Sequence, residues 1–308
     1  MGKPHTTLGI EIGETSLKLA LFDTKLNKVI RLGVVDVASH PLREVDLLEK
    51  VILQWAEYAP GLDASAITLS LPARLCVVRQ VEIPTGIPNV KEYVEWEFSS
   101  ATNSPSSEYY LDYQVAETSK KQNAVATVGA IRRIWLDSLR KGFQRKDLIP
   151  GVVEVDAFSL LNLVEAGIPE AKTKVSCVVK VDRSGVIVLW GQAGALRTIR
   201  WVSVGSLSTM SRIDAFQSLA KDLTDELHQG FSLVGVEDAK GQIVYLCGDL
   251  SVEDDFVKAL RDSSPDFLYH LLDSFSKILL DSEGASSSKA PLCATAIGAA
   301  LRFREDRK

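Results

Sequence analysis

Residues 8–23, LGIEIGETSLKLALFD, decide the fold of this chain. Apolar and polar residues alternate up to Ile12, a turn of small and polar residues follows at 13–15, and a second apolar run begins at Ser16. Two such runs around a short glycine-containing turn are typical of a β-hairpin. Residues 28–38, KVIRLGVVDVA, predict a third strand, so the chain opens as an antiparallel sheet.

A helix and a further strand complete this first unit. Residues 43–59 carry apolar side chains at the spacing of one helix face, which predicts an amphipathic helix. Residues 66–72, AITLSLP, and 75–84, LCVVRQVEIP, predict strands that end at the two prolines. The first unit therefore follows the order strand, strand, strand, helix, strand.

The same order recurs in the second half of the chain. Residues 174–204 contain three predicted strands, 206–231 a long amphipathic helix, and 243–248, IVYLCG, a strand. The apolar stripe of the helix consists of Leu207, Met210, Ile213, Phe216, Leu219, Leu223 and Leu227. This repetition indicates an internal duplication of topology.

Two lobes are expected from this duplication. Each would hold a mixed sheet flanked by helices, in an α/β protein divided into residues 1–170 and 171–308. An inserted small subdomain is expected at about 75–150 within the first lobe. Further helices are predicted at about 253–262 and 266–280. A helix of small residues, APLCATAIGAALRF, closes the sequence and is suited to tight packing.

The two first hairpins are expected to border a cleft between the lobes, at turn residues 13–16 and 182–185. Gly13 has two interpretations there: a hairpin glycine needed for positive φ, or a glycine that lets backbone N–H groups approach a phosphate. Glu154 and Asp156 could form a carboxylate pair. Their position favours the end of a strand and the cap of the following helix.

Composition argues against several functions. The chain has 308 residues, a formal net charge of -5 and no basic stripe, so no nucleic-acid partner is expected. The basic residues over 132–146 are interpreted as a solvated face. The four cysteines are far apart and the four histidines isolated, so no metal site is expected. No signal peptide or membrane-spanning stretch is recognised, which predicts a cytoplasmic location.

Four segments resemble the actin-like ATPase superfamily, and within it the PilM family of type IV pilus assembly proteins, which is related to FtsA. Residues 8–18 are similar to the family's LGIDIGSSSVK segment. Residues 93–115 resemble its helix, its small-residue and proline loop and its DYQV strand. Residues 152–164 resemble its VVDVEPFAL segment, and 290–302 its closing ALALGLALR helix. Together the segments extend the resemblance over nearly the whole chain.

The resemblance implies an actin-like fold, with two ribonuclease-H-like lobes around a central cleft. It implies a scaffold at the cytosolic face of the inner membrane, in a type IV pilus or related secretion platform. Such proteins bind the N-terminal cytosolic peptide of PilN, a single-span membrane protein, between the first core subdomain and the inserted subdomain. Trp96, Tyr109, Tyr110 and Tyr113 are candidate groove residues. The same aromatics could form the core of the inserted subdomain, which is the favoured interpretation.

The resemblance also implies that ATP with magnesium binds in the cleft. In the first phosphate loop, Gly13, Thr15, Ser16 and Lys18 match the family's positions. Glu11 replaces the usual aspartate and moves the carboxylate one methylene further out. The first loop is therefore largely intact.

The second phosphate loop departs further from the family's pattern. Lys180 stands where the magnesium-side aspartate is expected, Asp182 where a glycine is expected, and Val186 where a threonine is expected. Ser184 and the glycine after it could replace part of the turn if the register slips. A carboxylate beside a phosphate is unfavourable unless a cation intervenes, and Lys180 could partly replace magnesium.

The adenosine loop keeps Gly248, while Asp249 replaces its second glycine. We therefore expect no catalytic residue, no ATP hydrolysis, and ATP binding that is weak or lost. The expected function is a scaffold that binds a PilN-like peptide. The alternative is an ATP-binding, ATPase or sugar-kinase-like enzyme of the same superfamily, which would need intact phosphate loops.

Overall fold

A computed structural model describes residues 5–38, 40, 42, 45–62, 64–116, 123–202 and 210–303. The strands are β1 (Thr6–Ile12), β2 (Ser16–Asp23), β3 (Lys28–Asp36), β4 (Ile67–Leu71), β5 (Cys76–Ile83), β6 (Tyr109–Ala116), β7 (Ala124–Arg132), β8 (Val152–Val155), β9 (Ser176–Asp182), β10 (Gly185–Gln192), β11 (Ala195–Val202), β12 (Ile243–Cys247), β13 (Leu268–Leu271) and β14 (Leu279–Leu280). The helices are α1 (Val45–Ala56), α2 (Val90–Thr102), α3 (Arg133–Gly142), α4 (Asp156–Gly167), α5 (Arg212–Leu233), α6 (Asp254–Ser263) and α7 (Ala294–Ala300).

Two large sheets repeat one strand order, which confirms the predicted α/β duplication. In the first lobe the order is β14-β3-β2-β1-β4-β8, and in the second it is β11-β10-β9-β12-β13. In both, the first three strands are antiparallel and the following strands pair parallel. The order strand, strand, strand, helix, strand therefore builds β1 to β4 around α1, and β9 to β12 around α5.

Helices α4 and α7 pack against each other in the core shared by the lobes. This core joins apolar side chains from both sheets, such as Phe22 and Leu189, to Ile297 of α7. The predicted closing helix of small residues is α7, and its glycine allows the close approach. A Cβ at Gly298 would lie 1.8 Å from the Ser159 carbonyl oxygen of α4. Small side chains thus set the distance between the two helices.

The helix expected at 266–280 is wrong, because this segment forms strands β13 and β14. Strand β13 pairs parallel with β12, while β14 pairs parallel with β3 of the first sheet. The Ser276 hydroxyl donates a hydrogen bond to the Gly167 carbonyl (3.0 Å), and the Leu279 N–H donates to the Asn27 carbonyl (3.0 Å). Pairing with two free sheet edges therefore prevails over the helical spacing of the apolar residues in this segment. Through β14 the chain returns to the first lobe.

Helix α5 is shorter at its start than the sequence predicted. It begins at Arg212, after the Ser211 side chain caps it by accepting a hydrogen bond from the Asp214 N–H. Met210 and Ile213 are exposed, so they do not belong to the buried stripe, which starts at Ala215 and Phe216 instead. Leu207, also predicted for the stripe, lies outside the described residues.

The inserted subdomain has a sheet and a core of its own. Its sheet has the order β5-β7-β6, and Val94 and Phe98 of α2 pack on it with Val81 and Val128. Asn89 caps α2 by accepting a hydrogen bond from the Glu92 N–H. Helix α3 instead contributes buried leucines to the core of the first lobe. Every helix within the described residues is too short or too polar to span a lipid bilayer.

Candidate functional site

The turns of the two first hairpins face each other across the cleft. Gly13 and Glu14 of the β1–β2 turn border the same small cavity as Ser184 and Gly185 of the β9–β10 turn. Thr15 is exposed and does not line this cavity. The described backbone therefore brings together the two loops that the sequence assigned to phosphate binding.

Gly13 closes the first hairpin. Its N–H donates to the Ser16 carbonyl (2.9 Å), so the hairpin itself uses this donor. The predicted positive φ is wrong, because Gly13 is not among the described glycines with positive φ. Glycine is needed for a different reason: a Cβ would lie 2.8 Å from the Ser16 carbonyl oxygen. The Gly13 N–H is therefore used within the hairpin, and the phosphate interpretation of this glycine stays a prediction.

Lys18 pairs with carboxylates across the cleft. Its Nζ lies 2.9 Å from Asp182 Oδ1 and 2.9 Å from Asp249 Oδ1, both of the second lobe. It also lies 3.7 Å from Oε1 of Glu11, its cross-strand neighbour in the β1–β2 register. A lysine that matches the first phosphate loop therefore holds side chains of the opposite lobe.

Lys180 makes the reciprocal contacts from the second lobe. Its Nζ lies 2.7 Å from Glu11 Oε1 and 3.1 Å from Asp156 Oδ2, both of the first lobe. It lies 3.1 Å from Asp182 Oδ2 on its own strand. Two lysines and four carboxylates thus form one group, here named the interlobe ion cluster: Glu11, Lys18, Asp156, Lys180, Asp182 and Asp249.

Sequence reasoning missed two members of this cluster. Asp156 was interpreted as a helix cap, but it is the first residue of α4 and the N-cap position is Val155. It is fully buried and accepts a hydrogen bond from the Ala73 N–H (3.0 Å). Asp249 was noted only as a lost glycine. The available signal was the position of Asp156 at the carboxyl end of a parallel strand, where α/β proteins place functional side chains.

Gly248 positions the loop that carries Asp249. Its φ is +94°, a left-handed conformation that favours glycine. A Cβ there would lie 2.7 Å from the Val181 carbonyl oxygen and 2.9 Å from Asp182 Oδ1. The Asp249 N–H then donates to Asp182 Oδ1 (3.2 Å). The loop that the resemblance assigned to adenosine binding therefore packs directly on the cluster.

Burial and pairing shift the pKa values within the cluster in opposite directions. Burial raises the pKa of Glu11 and that of Asp156, because their charged forms lose hydration. Burial alone would also raise the pKa of Asp182, but Lys18 and Lys180 hold it well below its usual range. The pKa of each lysine is held above its ordinary value by the carboxylates, against the effect of burial. Both lysines and Asp182 therefore stay charged at neutral pH.

The space between the two turns is much smaller than a nucleotide. The cavity that they border has a volume of about 20 Å³, room for about one water molecule, whereas ligand pockets typically have about 300–1,000 Å³. The Glu14 carboxylate pairs with Arg74 (2.5 Å) beside it. The lysine charges that could meet phosphate or stand in for magnesium are already paired with carboxylates.

The four aromatic residues proposed for a peptide groove lie in different surroundings. Tyr109 is buried and packs edge-on against Phe98, with ring centroids 5.1 Å apart, so it belongs to the core of the inserted subdomain. Tyr113 is half-buried against the same core. Trp96 is 60% exposed on α2. The structure therefore does not gather these aromatics into one groove wall.

Tyr110 lies where the inserted sheet meets the first lobe. It packs against the first-lobe core, and its hydroxyl donates to Asp137 Oδ1 of α3 (2.9 Å). Arg140 donates to the same hydroxyl (3.2 Å), and the Arg133 guanidinium lies 4.2 Å from the ring centroid. Among the four candidates, Tyr110 joins the two bodies between which the groove was expected.

The duplicated sheets and the facing hairpins define an actin-like fold, and solved structures support this assignment. The "PilM-PilN type IV pilus biogenesis complex" is similar to this chain with a TM-score of 0.72 and 18% identity, over 97% of this chain and 98% of that chain. A Bacteroides thetaiotaomicron protein of unknown function with an actin-like ATPase fold gives a TM-score of 0.53 and 11% identity, over 94% and 96% of the chains.

A third similar structure comes from a secretion system. It is the cytoplasmic domain of EpsL, an inner membrane component of the type II secretion system of Vibrio cholerae, with a TM-score of 0.50 and 14% identity over 96% of this chain and 94% of that chain. No protein-family model matches the sequence, and no curated protein matches it. These likenesses establish the actin-like fold of this chain.

Proposed function

We propose that this chain is a scaffold of a type IV pilus or related secretion assembly platform, and that its cleft is held by its own charges without Mg-ATP. The observation that carries the nucleotide-free part of the proposal is the interlobe ion cluster. Four contacts in it join the lobes: Lys18 to Asp182 and Asp249, and Lys180 to Glu11 and Asp156. On this proposal the ion pairs hold the two lobes together, as a bound nucleotide with its metal ion could otherwise do.

The proposed partner is the N-terminal cytosolic peptide of a PilN-like inner-membrane protein. The solved complex with the same fold contains PilM and PilN, and EpsL belongs to the inner membrane part of a secretion system. We place the peptide between the first lobe and the inserted subdomain, near Tyr110. On this proposal the protein is cytoplasmic and reaches the membrane through its partners.

Titration calorimetry with Mg-ATP tests the nucleotide part of the proposal. We expect no binding heat up to about 1 mM nucleotide, because phosphate would have to displace the carboxylates from both lysines. Any binding would then have a dissociation constant above about 1 mM, which is a binding free energy weaker than about -4 kcal/mol. A parallel melting curve with Mg-ATP should show no shift. Micromolar binding would contradict the proposal and would favour the alternative, an ATP-binding or kinase-like enzyme whose cleft reorganises around Lys180.

Titration with a synthetic N-terminal peptide of the PilN-like protein from the same genome tests the partner. We expect Tyr110→Ala to weaken binding by about tenfold or more, about 1.4 kcal/mol, because it removes an aromatic side chain and frees Arg140 and Asp137 at the junction. Tyr58→Ala is the matched control. Tyr58 is half exposed and lies outside the junction. Like Tyr110, it packs against an arginine: Arg31 Cζ lies 3.7 Å from the centroid of the Tyr58 ring. No binding by the unaltered protein, or equal loss in both variants, would overturn the proposed groove.

A further inference from the structure

The inserted subdomain carries a second groove, away from the junction at Tyr110. It has a volume of about 310 Å³ and lies between strand β5 and helix α2. Arg79 and Glu82 of the strand border it on one side, and Tyr93, Glu97 and Ala101 of the helix on the other. This volume is at the lower end of the range of about 300–1,000 Å³ for ligand pockets.

The strand wall of this groove is a sheet edge. Strand β5 pairs antiparallel with β7 over its whole length, and within the described residues no strand pairs with its other side. The start of β5 packs on the interlobe core through Cys76 and Val78. In the remainder, residues 79–83, the Gln80 side chain donates a hydrogen bond to the Leu196 carbonyl of β11 (2.8 Å). The outer backbone N–H and C=O groups of this segment pair with no described strand, so they can pair with an added strand.

The helix wall is regular. Tyr93, Glu97 and Ala101 are each four residues apart, so they lie on one face of α2. The Tyr93 hydroxyl donates to Glu97 Oε1 (3.2 Å), which fixes the ring against that face. A sheet edge opposite a helix face forms an elongated slot, which is the geometry in which proteins receive an extended peptide by strand addition.

The charges in the slot indicate what the peptide carries. Glu82 and Glu97 make no ion pair with any described residue, and neither does Arg79. Two carboxylates and one guanidinium leave the slot with a net negative charge. A basic side chain opposite Glu97, with an acidic group toward Arg79, is the complementary arrangement.

We propose that this slot binds an extended segment of a partner protein, which adds to β5 as a fourth strand and places a lysine or arginine against Glu97. The proposal does not rest on the function proposed above, because it concerns a different face of the inserted subdomain.

A displayed library of short random peptides, selected on the purified full chain, tests this proposal. Binding is then measured with the selected peptides made synthetically. We expect a consensus with a basic residue, and a loss of about tenfold or more with Glu97→Gln. Ala101→Trp, which fills the slot from an exposed position, should abolish binding. Glu92→Gln, on the same helix but outside the slot, is the matched control.

Amide hydrogen exchange locates the bound peptide independently of the variants. We expect added protection at residues 79–83 and none near Tyr110. The proposal is overturned if no peptide is enriched, if Ala101→Trp binds as well as the unaltered chain, or if protection falls outside β5.

Discussion

Replacement of Lys180 by methionine is expected to destabilise the protein by about 3–5 kcal/mol, the cost of breaking a buried ion pair by removing one partner. Lys180 is almost fully buried, and its Nζ contacts three carboxylates, those of Glu11, Asp156 and Asp182. Without it, Glu11 and Asp182 keep Lys18 as their ion-pair partner among the described residues, and Asp156 keeps none. A lower midpoint of urea unfolding, and earlier proteolysis between the lobes, are the measurements that check this prediction.

Two further variants separate the cluster from a general effect of losing a lysine. Lys172→Met removes an exposed lysine of the same lobe and should leave the midpoint unchanged. Adding Glu11→Gln and Asp156→Asn to Lys180→Met neutralises two of the carboxylates that Lys180 contacted and should recover part of the stability. Unchanged stability of Lys180→Met would mean that the cluster does not hold the lobes together.

Gly298→Ala is expected to destabilise the protein by about 1–3 kcal/mol through overpacking. Helix propensity alone predicts the opposite sign, a gain of about 1 kcal/mol for alanine over glycine inside a helix. The steric effect should dominate, since the new Cβ would lie 1.8 Å from the Ser159 carbonyl oxygen and α4 and α7 would have to separate. The midpoint of urea unfolding gives the sign directly.

Larger and matched substitutions sharpen this test. Gly298→Val adds two more carbon atoms at the same contact and should lower the midpoint further than Gly298→Ala. Ser100→Ala, on the exposed face of α2, introduces the same side chain where nothing crowds it and should be neutral or slightly stabilising. If Gly298→Ala instead raises stability, the two helices are not packed as tightly as described.

Local pattern determined most of the secondary structure. The alternation in residues 8–23 predicted the first hairpin, and its repetition after residue 174 predicted the duplication. Both predictions succeeded because the spacing of apolar side chains along a short stretch of chain indicates a strand or a helix. The same logic failed at 266–280. There the apolar spacing suits a helix, but two sheet edges offered partners that the sequence does not reveal, and strands β13 and β14 formed.

The sequence also identified the unusual residues of the cleft, Lys180 and Asp182, through their departure from a family pattern. It could not determine what these residues contact. Lys18 and Asp182 are 164 positions apart, and Lys180 meets Asp156, a residue interpreted as a helix cap. The state of a buried charge depends on the groups within a few ångströms of it, whatever their distance along the chain. For that reason the sequence determined the two lobes, and only the tertiary structure decided that paired side chains fill the cleft between them.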